Sequence, residues 1–97
     1  MDKEMVFVIY DRAIDEEVEE VLQKLEIKYY TKWKDVAGVG RNDPHLGDHV
    51  WPGLNNILMV VVESAKKQEL LSSVEGLHRK FPSMGLRAFA TPVIDMA

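Results

Sequence analysis

The chain has 97 residues and a formal net charge of −4, with a sequence pI of about 5.3, so it reads as one domain without a basic face for phosphates, and nucleic acid is not an expected partner. It has no cysteine, which excludes disulfides and thiolate metal sites and fits a reducing cytoplasm. The opening Met1-Asp2-Lys3-Glu4 lacks a leader pattern and no apolar run is long enough to span a bilayer, so the expected location is cytoplasmic, with no membrane insertion.

Residues 5–10, Met-Val-Phe-Val-Ile-Tyr, are a continuous apolar, β-branched and aromatic run, the pattern of a buried strand. Asp11 is placed to cap the first helix. Ile14, Val18, Val21, Leu22 and Leu25 make one helical stripe. Asp15, Glu16, Glu17, Glu19 and Glu20 fill the other face, which reads as solvated, and Lys24 near the helix end suits the dipole. Residues 27–33 alternate: Ile27, Tyr29, Thr31 and Trp33 face one way. Lys28, Lys32 and Lys34 face the other, as on a protected edge strand, with Tyr30 breaking the pattern.

A second apolar strand, Ile-Leu-Met-Val-Val-Val, occupies 57–62. Ser64 is placed to cap a second helix, whose core stripe is Leu70, Val74, Leu77 and Phe81. Gly76 inside that helix costs about 1 kcal/mol relative to alanine, which points to close packing there. Pro82-Ser83-Met84-Gly85 stops the helix, residues 86–91 form the last strand, and Pro92 limits further pairing.

The order is βαββαβ. It predicts an α+β, ferredoxin-like sandwich: a single domain, 1–97, with an antiparallel four-stranded sheet and two helices on one face. The two strongly apolar runs are the expected central strands. Both are apolar on both faces. Val6, Val8 and Tyr10, with Leu58, Val60 and Val62, are assigned to the helices. Met5, Phe7 and Ile9, with Ile57, Met59 and Val61, then point outward. An apolar sheet face is rarely left open on a monomer, so oligomerisation is expected.

Between the second and third strands lies a loop at about 38–53. The stretch 35–56 holds four of the six glycines, two of the four prolines and two of the three histidines. Gly38 and Gly40 allow positive φ or close backbone approach. Arg41 comes next, with a fork of donors suited to an anion. Pro52-Gly53 fits a type II turn. Leu46 is the sole aliphatic residue between Gly40 and Val50, so the segment 39–51 is expected to be the mobile, ligand-responsive element.

Asp35-Val36-Ala37-Gly38-Val39-Gly40-Arg41 resembles the start of the T-loop in P-II nitrogen regulatory proteins, close to D-V-x-G-x-G-R. The element order matches across nearly the whole chain. The resemblance implies a divergent P-II-like signalling protein. It would be a homotrimer with open sheet faces turned inward, and Gly38, Gly40 and Arg41 would lie at an inter-subunit effector cleft. The T-loop would be shown to a partner protein. The chain departs from the family in three ways. The loop is shorter and has no tyrosine, Pro82-Ser83-Met84-Gly85 stands in place of the Thr-Gly-x-x-Gly-Asp-Gly-Lys phosphate loop, and the basic C-terminal segment is missing. ATP is therefore expected to bind weakly or not at all. CutA proteins share the trimer, so the alternative is a CutA-like divalent-metal-binding trimer.

Two alternatives stand at each candidate position. Arg41 with Gly38 and Gly40 holds a small anionic effector, or forms a tight turn with a solvated arginine. Asp43, His45, Asp48 and His49 offer imidazole and carboxylate to a metal, with His45 and His49 as the ligands, or form a solvated polar loop; with Pro44 and Gly47 between them the His-x-x-x-His spacing is not helical. Trp51 is a lid over a cleft or an anchor on a neighbour. His78 reads as a surface residue of the second helix. There is no nucleophile elbow, phosphate-cradling P-loop or catalytic triad, so no enzyme is expected and no cofactor is named by the sequence.

Overall fold

The computed structural model describes residues 2–41 and 43–97. Its elements are β1 (Lys3–Asp11), a 3-10 turn (Arg12–Ile14), α1 (Asp15–Lys24), β2 (Thr31–Val36), β3 (Asn55–Glu63), α2 (Ser64–Lys80) and β4 (Leu86–Pro92). They form one antiparallel sheet in the order β2-β3-β1-β4, so the two apolar runs are its central strands. This is the ferredoxin-like sandwich that the pattern predicts. Among the described residues no helix is long and apolar enough to cross a membrane.

Alternation along β1 and β3 separates the two faces. Val6, Val8, Tyr10, Leu58 and Val60 are buried under the helices, with Ile14, Val18 and Leu22 from the first helical segment and Leu70 and Val74 from α2. The other face is open. Its central row places Phe7 between Met59 and Phe89, with Thr31 beyond Met59. The next row runs Trp33, Ile57, Ile9, Arg87. Phe89 is 58% and Trp33 45% exposed, so one copy of the chain leaves this face uncovered.

Several local readings are corrected. Ile27 does not share a face with Thr31 and Trp33. Helix α1 ends in a left-handed cap: Glu26 has φ 57° and the Ile27 N–H donates back to the Leu22 carbonyl at 2.9 Å. The cap turns Ile27 into the core and delays β2 to Thr31. Ser64 does not cap α2; its Oγ donates to the Asp2 carbonyl at 3.2 Å and to Glu4 Oε2 at 3.3 Å. Gly76 is not closely packed, since an added Cβ would meet no atom within 4 Å. Asp11 does cap, accepting from the Ala13 N–H at 2.9 Å. Pairing runs one residue past Pro92, where the Val93 N–H donates to the Lys3 carbonyl at 3.0 Å.

Candidate functional site

The ends of three strands meet where the loop begins. The Asp11 N–H donates to the Gly85 carbonyl at 2.9 Å, which ties β1 to the turn before β4. The Arg12 N–H donates to the Leu54 carbonyl at 3.1 Å, which ties it to the entry of β3. On the other side β2 carries a bulge between Trp33 and Val36. Within it Asp35 adopts φ 58° and its N–H donates to Asn56 Oδ1 at 3.0 Å. The Asp35 carboxylate pairs with Arg12 at 2.9 Å.

From there the loop folds back on itself. Gly38 and His45 form a two-residue antiparallel bridge, each N–H donating to the other's carbonyl at 2.7 Å. Gly38 leaves room for the Asn55 side chain: a Cβ there would lie 2.5 Å from Asn55 Nδ2 and would displace that amide. The His45 ring is largely buried, with Nδ1 2.5 Å from Asn55 Oδ1 and Nε2 3.5 Å from Asp11 Oδ2. It lies over Gly53, where a Cβ would come within 3.2 Å of His45 Cδ2.

Beyond the bridge, the Gly47 N–H donates to the Gly53 carbonyl at 3.2 Å. Asp48 Oδ1 accepts from the N–H groups of Val50 at 3.1 Å and Trp51 at 2.6 Å. The positive φ falls on Gly47, at 68°, and not on Gly53, so Pro52-Gly53 is not a type II turn.

This framework leaves a cleft of about 200 Å³ in which Gly38, Gly40, Asp43 and His45 face Asp11, Asn55, Ser83 and Gly85. An adjoining cleft of about 240 Å³ shares Gly38, Gly40, Asn55 and Gly85 and adds Ile9 and Arg87. Of the sequence candidates, Gly38, Gly40 and His45 come together here. Arg41, His49 and Trp51 do not line either cleft. Arg41 is exposed and makes no hydrogen bond or ion pair among the described residues. Nor do three His, Asp or Glu side chains converge on a metal site among them.

Sequence reasoning missed Asp11, Asn55, Ser83 and Gly85 as lining residues. The Asn55-Asn56 doublet opening an otherwise apolar strand was a usable signal, because adjacent polar residues on a strand point to opposite faces. Asn56 faces the helices, 4% exposed, and is met by a polar network. Asp15 Oδ1 accepts from Tyr10 Oη at 2.5 Å, Lys32 Nζ at 2.9 Å and Asn56 Nδ2 at 3.1 Å. Lys32 also pairs closely with Glu19. The acidic run on α1 is therefore not uniformly solvated.

Burial works to raise the Asp15 carboxyl, but the hydrogen bonds from Tyr10, Lys32 and Asn56 and the lysine charge outweigh it and hold it below the usual carboxylate range. Burial likewise works to lower Lys32, and hydrogen bonds to Glu19 and Asp15 raise it above the usual lysine range. Burial and the bond to Asp15 push the Tyr10 hydroxyl up. The network fixes Asn56, and through it the bulge from which the loop departs.

No family model matches the chain, and no curated protein matches it. Solved structures do. CPII of Thiomonas intermedia, solved with ADP and bicarbonate, is 17% identical over 92% of this chain and 83% of its own, at a TM-score of 0.75. A DUF3240 family protein of Shewanella baltica is 12% identical over 100% of this chain and 96% of its own, at 0.71. Arabidopsis thaliana PII, solved with citrate, is 18% identical over 95% and 78%, at 0.65. The chain has the P-II-like fold.

Proposed function

We propose that the chain is a P-II-like regulatory protein, not an enzyme, that binds a small anionic effector at the loop base and presents the 38–53 loop to a partner protein. The observation that carries this reading is the cleft itself. Gly38 and Gly40, matching the family motif in the sequence, border it together with the ends of β1 and β3 and the turn before β4. Structures sharing the fold were solved with ADP, bicarbonate and citrate, all small anions. Asp11 and Asp43 line the cleft, so the effector's charge would be met by Arg87 of β4, which borders the adjoining cleft, and by Arg41, which lines neither cleft in one copy and would reach it only across a subunit boundary. The open face of Met5, Phe7, Ile9, Ile57, Met59 and Val61 supports assembly of three copies, which would bring Arg41 and Trp51 to a subunit boundary.

Calorimetry with ADP, ATP, bicarbonate, citrate and Zn²⁺, paired with hydrogen exchange, tests the proposal. An anion that binds, slows exchange across 41–49 and loses both effects in Arg41→Ala is the expected result, with ATP weaker than the small anions. Absence of any anion binding at millimolar concentration overturns it. Zn²⁺ binding abolished by His45→Ala or His49→Ala would instead select the CutA-like metal reading.

A further inference from the structure

Strand β3 outruns its neighbour at the end away from the loop. Pairing with β2 begins at Thr31, opposite Met59, whereas β3 continues to Glu63. The cause is the left-handed cap at Glu26. It holds Ile27 in the core, 8% exposed, so the chain rejoins the sheet only at Thr31. Lys28 and Tyr29 make no main-chain hydrogen bond to β3. On its other side β3 is paired with β1 throughout, from Asn55 opposite Asp11 to Glu63 opposite Lys3. Successive residues of a strand send their main-chain groups to opposite sides. Either Val61 or Val62 therefore presents an N–H and a C=O outward with no strand to meet them.

A cleft of about 250 Å³ stands where the missing rungs of β2 would be. Ile27, Lys28 and Tyr29 bound it on one side and Val61, Val62 and Glu63 on the other. Val61 and Val62 point to opposite faces of the sheet, so a cleft lined by both runs along the strand edge. Sheet edges are commonly guarded by a charge, a proline or a bulge. Residues 60–62 of β3 are three valines and carry none of these. Beside them Tyr29 is 87% exposed. Two of the cationic side chains at the rim are engaged within the chain, Lys3 with Glu63 at 3.6 Å and Lys66 with Glu69 at 3.2 Å.

We propose that this edge receives an extended segment of a partner protein, which adds to β3 as a short strand between residues 61–63 and 27–29. The unmet main-chain groups fix the occupant's chemistry, because another extended main chain is what complements them. Side chains of the added strand alternate. One set packs beside Val62 and Ile27, toward the helices, and the other beside Val61, so β-branched and aromatic residues fit both. Thr31 closes the groove at one end, which keeps the added strand short. The site is separate from the loop base, so effector binding there neither supports nor refutes it.

The test is a titration of the ¹⁵N-labelled protein, as it assembles, with a short blocked peptide alternating valine and threonine between terminal glutamates. Its control is the same peptide N-methylated at alternate amides. In the free protein the amide of Val61 or of Val62 should exchange quickly. The peptide should saturably slow it and shift Val61, Val62 and Tyr29. N-methylation should weaken binding about tenfold or more, as expected for the loss of two main-chain hydrogen bonds. Tyr29→Ala should weaken it about threefold to tenfold by removing an aromatic wall. A displayed library of random short peptides should yield ligands of the same alternating pattern. Equal binding of the N-methylated peptide, or shifts confined to Phe7 and Phe89, would overturn the proposal. So would the failure of both the peptide and the library to give a ligand at this edge. Protection of both valine amides in the free protein would show another copy filling the groove, and would overturn it too.

Discussion

Lys32 Nζ lies 2.9 Å from Asp15 Oδ1, joining an edge strand to the first turn of α1 from beneath the sheet. The lysine side chain is only 11% exposed, so this pair is sheltered from salt. Glu19, one turn beyond Asp15, completes the anionic side. The network is the support on which the bulge and the loop rest.

Lys32→Met should destabilise the protein by about 2 kcal/mol, because Asp15 and Glu19 lose a charged donor while staying half-buried. The directions of the shifts set the pH dependence. The lowered Asp15 pKa gives stability that is present above the ordinary carboxyl value, about pH 4, and lost as pH falls through the folded value. The raised Lys32 pKa gives stability that is present below about pH 10 and lost as pH rises through the folded value, and the raised Tyr10 acts in the same sense. Urea melts across the pH range should show both flanks in the parent chain and a shallower pair in Lys32→Met. Identical flanks would contradict the assignment.

Phe7→Lys should break the assembly and spare the subunit. Phe7 occupies the middle of the open face, between Met59 and Phe89. Light scattering should report a trimer for the parent and a monomer for the variant, with the far-ultraviolet circular dichroism retained. Val60→Lys is the contrasting control. Val60 is 1% exposed under the helices, so a lysine there should unfold the chain at a cost of several kcal/mol. A parent that is monomeric at micromolar concentration would refute the trimer.

The glycines should respond in opposite directions. Gly76→Ala should raise stability by about 0.5–1 kcal/mol, since the site is helical and the methyl meets nothing. Gly47→Ala should lower it by about 1–2 kcal/mol, because φ is 68° and Leu54 Cδ2 would lie 2.9 Å from the new atom. Thermal melts decide both, and a destabilised Gly76→Ala would reveal a neighbour supplied by another subunit.

Much of this architecture was legible in the residues. Six-residue apolar runs at 5–10 and 57–62 announce central strands, and the stripe from Ile14 to Leu25 announces a helix, because burial imposes its period directly on side-chain polarity. Lys32 was legible as pointing away from Thr31 and Trp33, but not as pairing under the sheet; that depends on Asp15 and Glu19 aligning at helical spacing across from it. Ile27 was misread because its apolar side chain suits a strand as well as a helix cap, and only the φ of Glu26 separates the two. In the loop, motif residues Gly38 and Gly40 were found at the cleft, whereas the Gly38–His45 bridge was not foreseen. It is made by main-chain groups, which every residue carries alike.

The bulge at Asp35 has a consequence for any attempt to move the loop. Trp33 is opposite Ile57 and Val36 is opposite Asn55, so three steps along β2 match two along β3. The extra residue resets the side-chain phase: from Val36 onward, odd and even positions exchange the sides they would hold in a regular strand. A graft that joins the loop to a foreign hairpin at Val36 would leave that reset behind and land each later side chain on the wrong side. A transplant that preserves the cleft must cut at or before Trp33, and must bring Asn56 to hold the Asp35 amide.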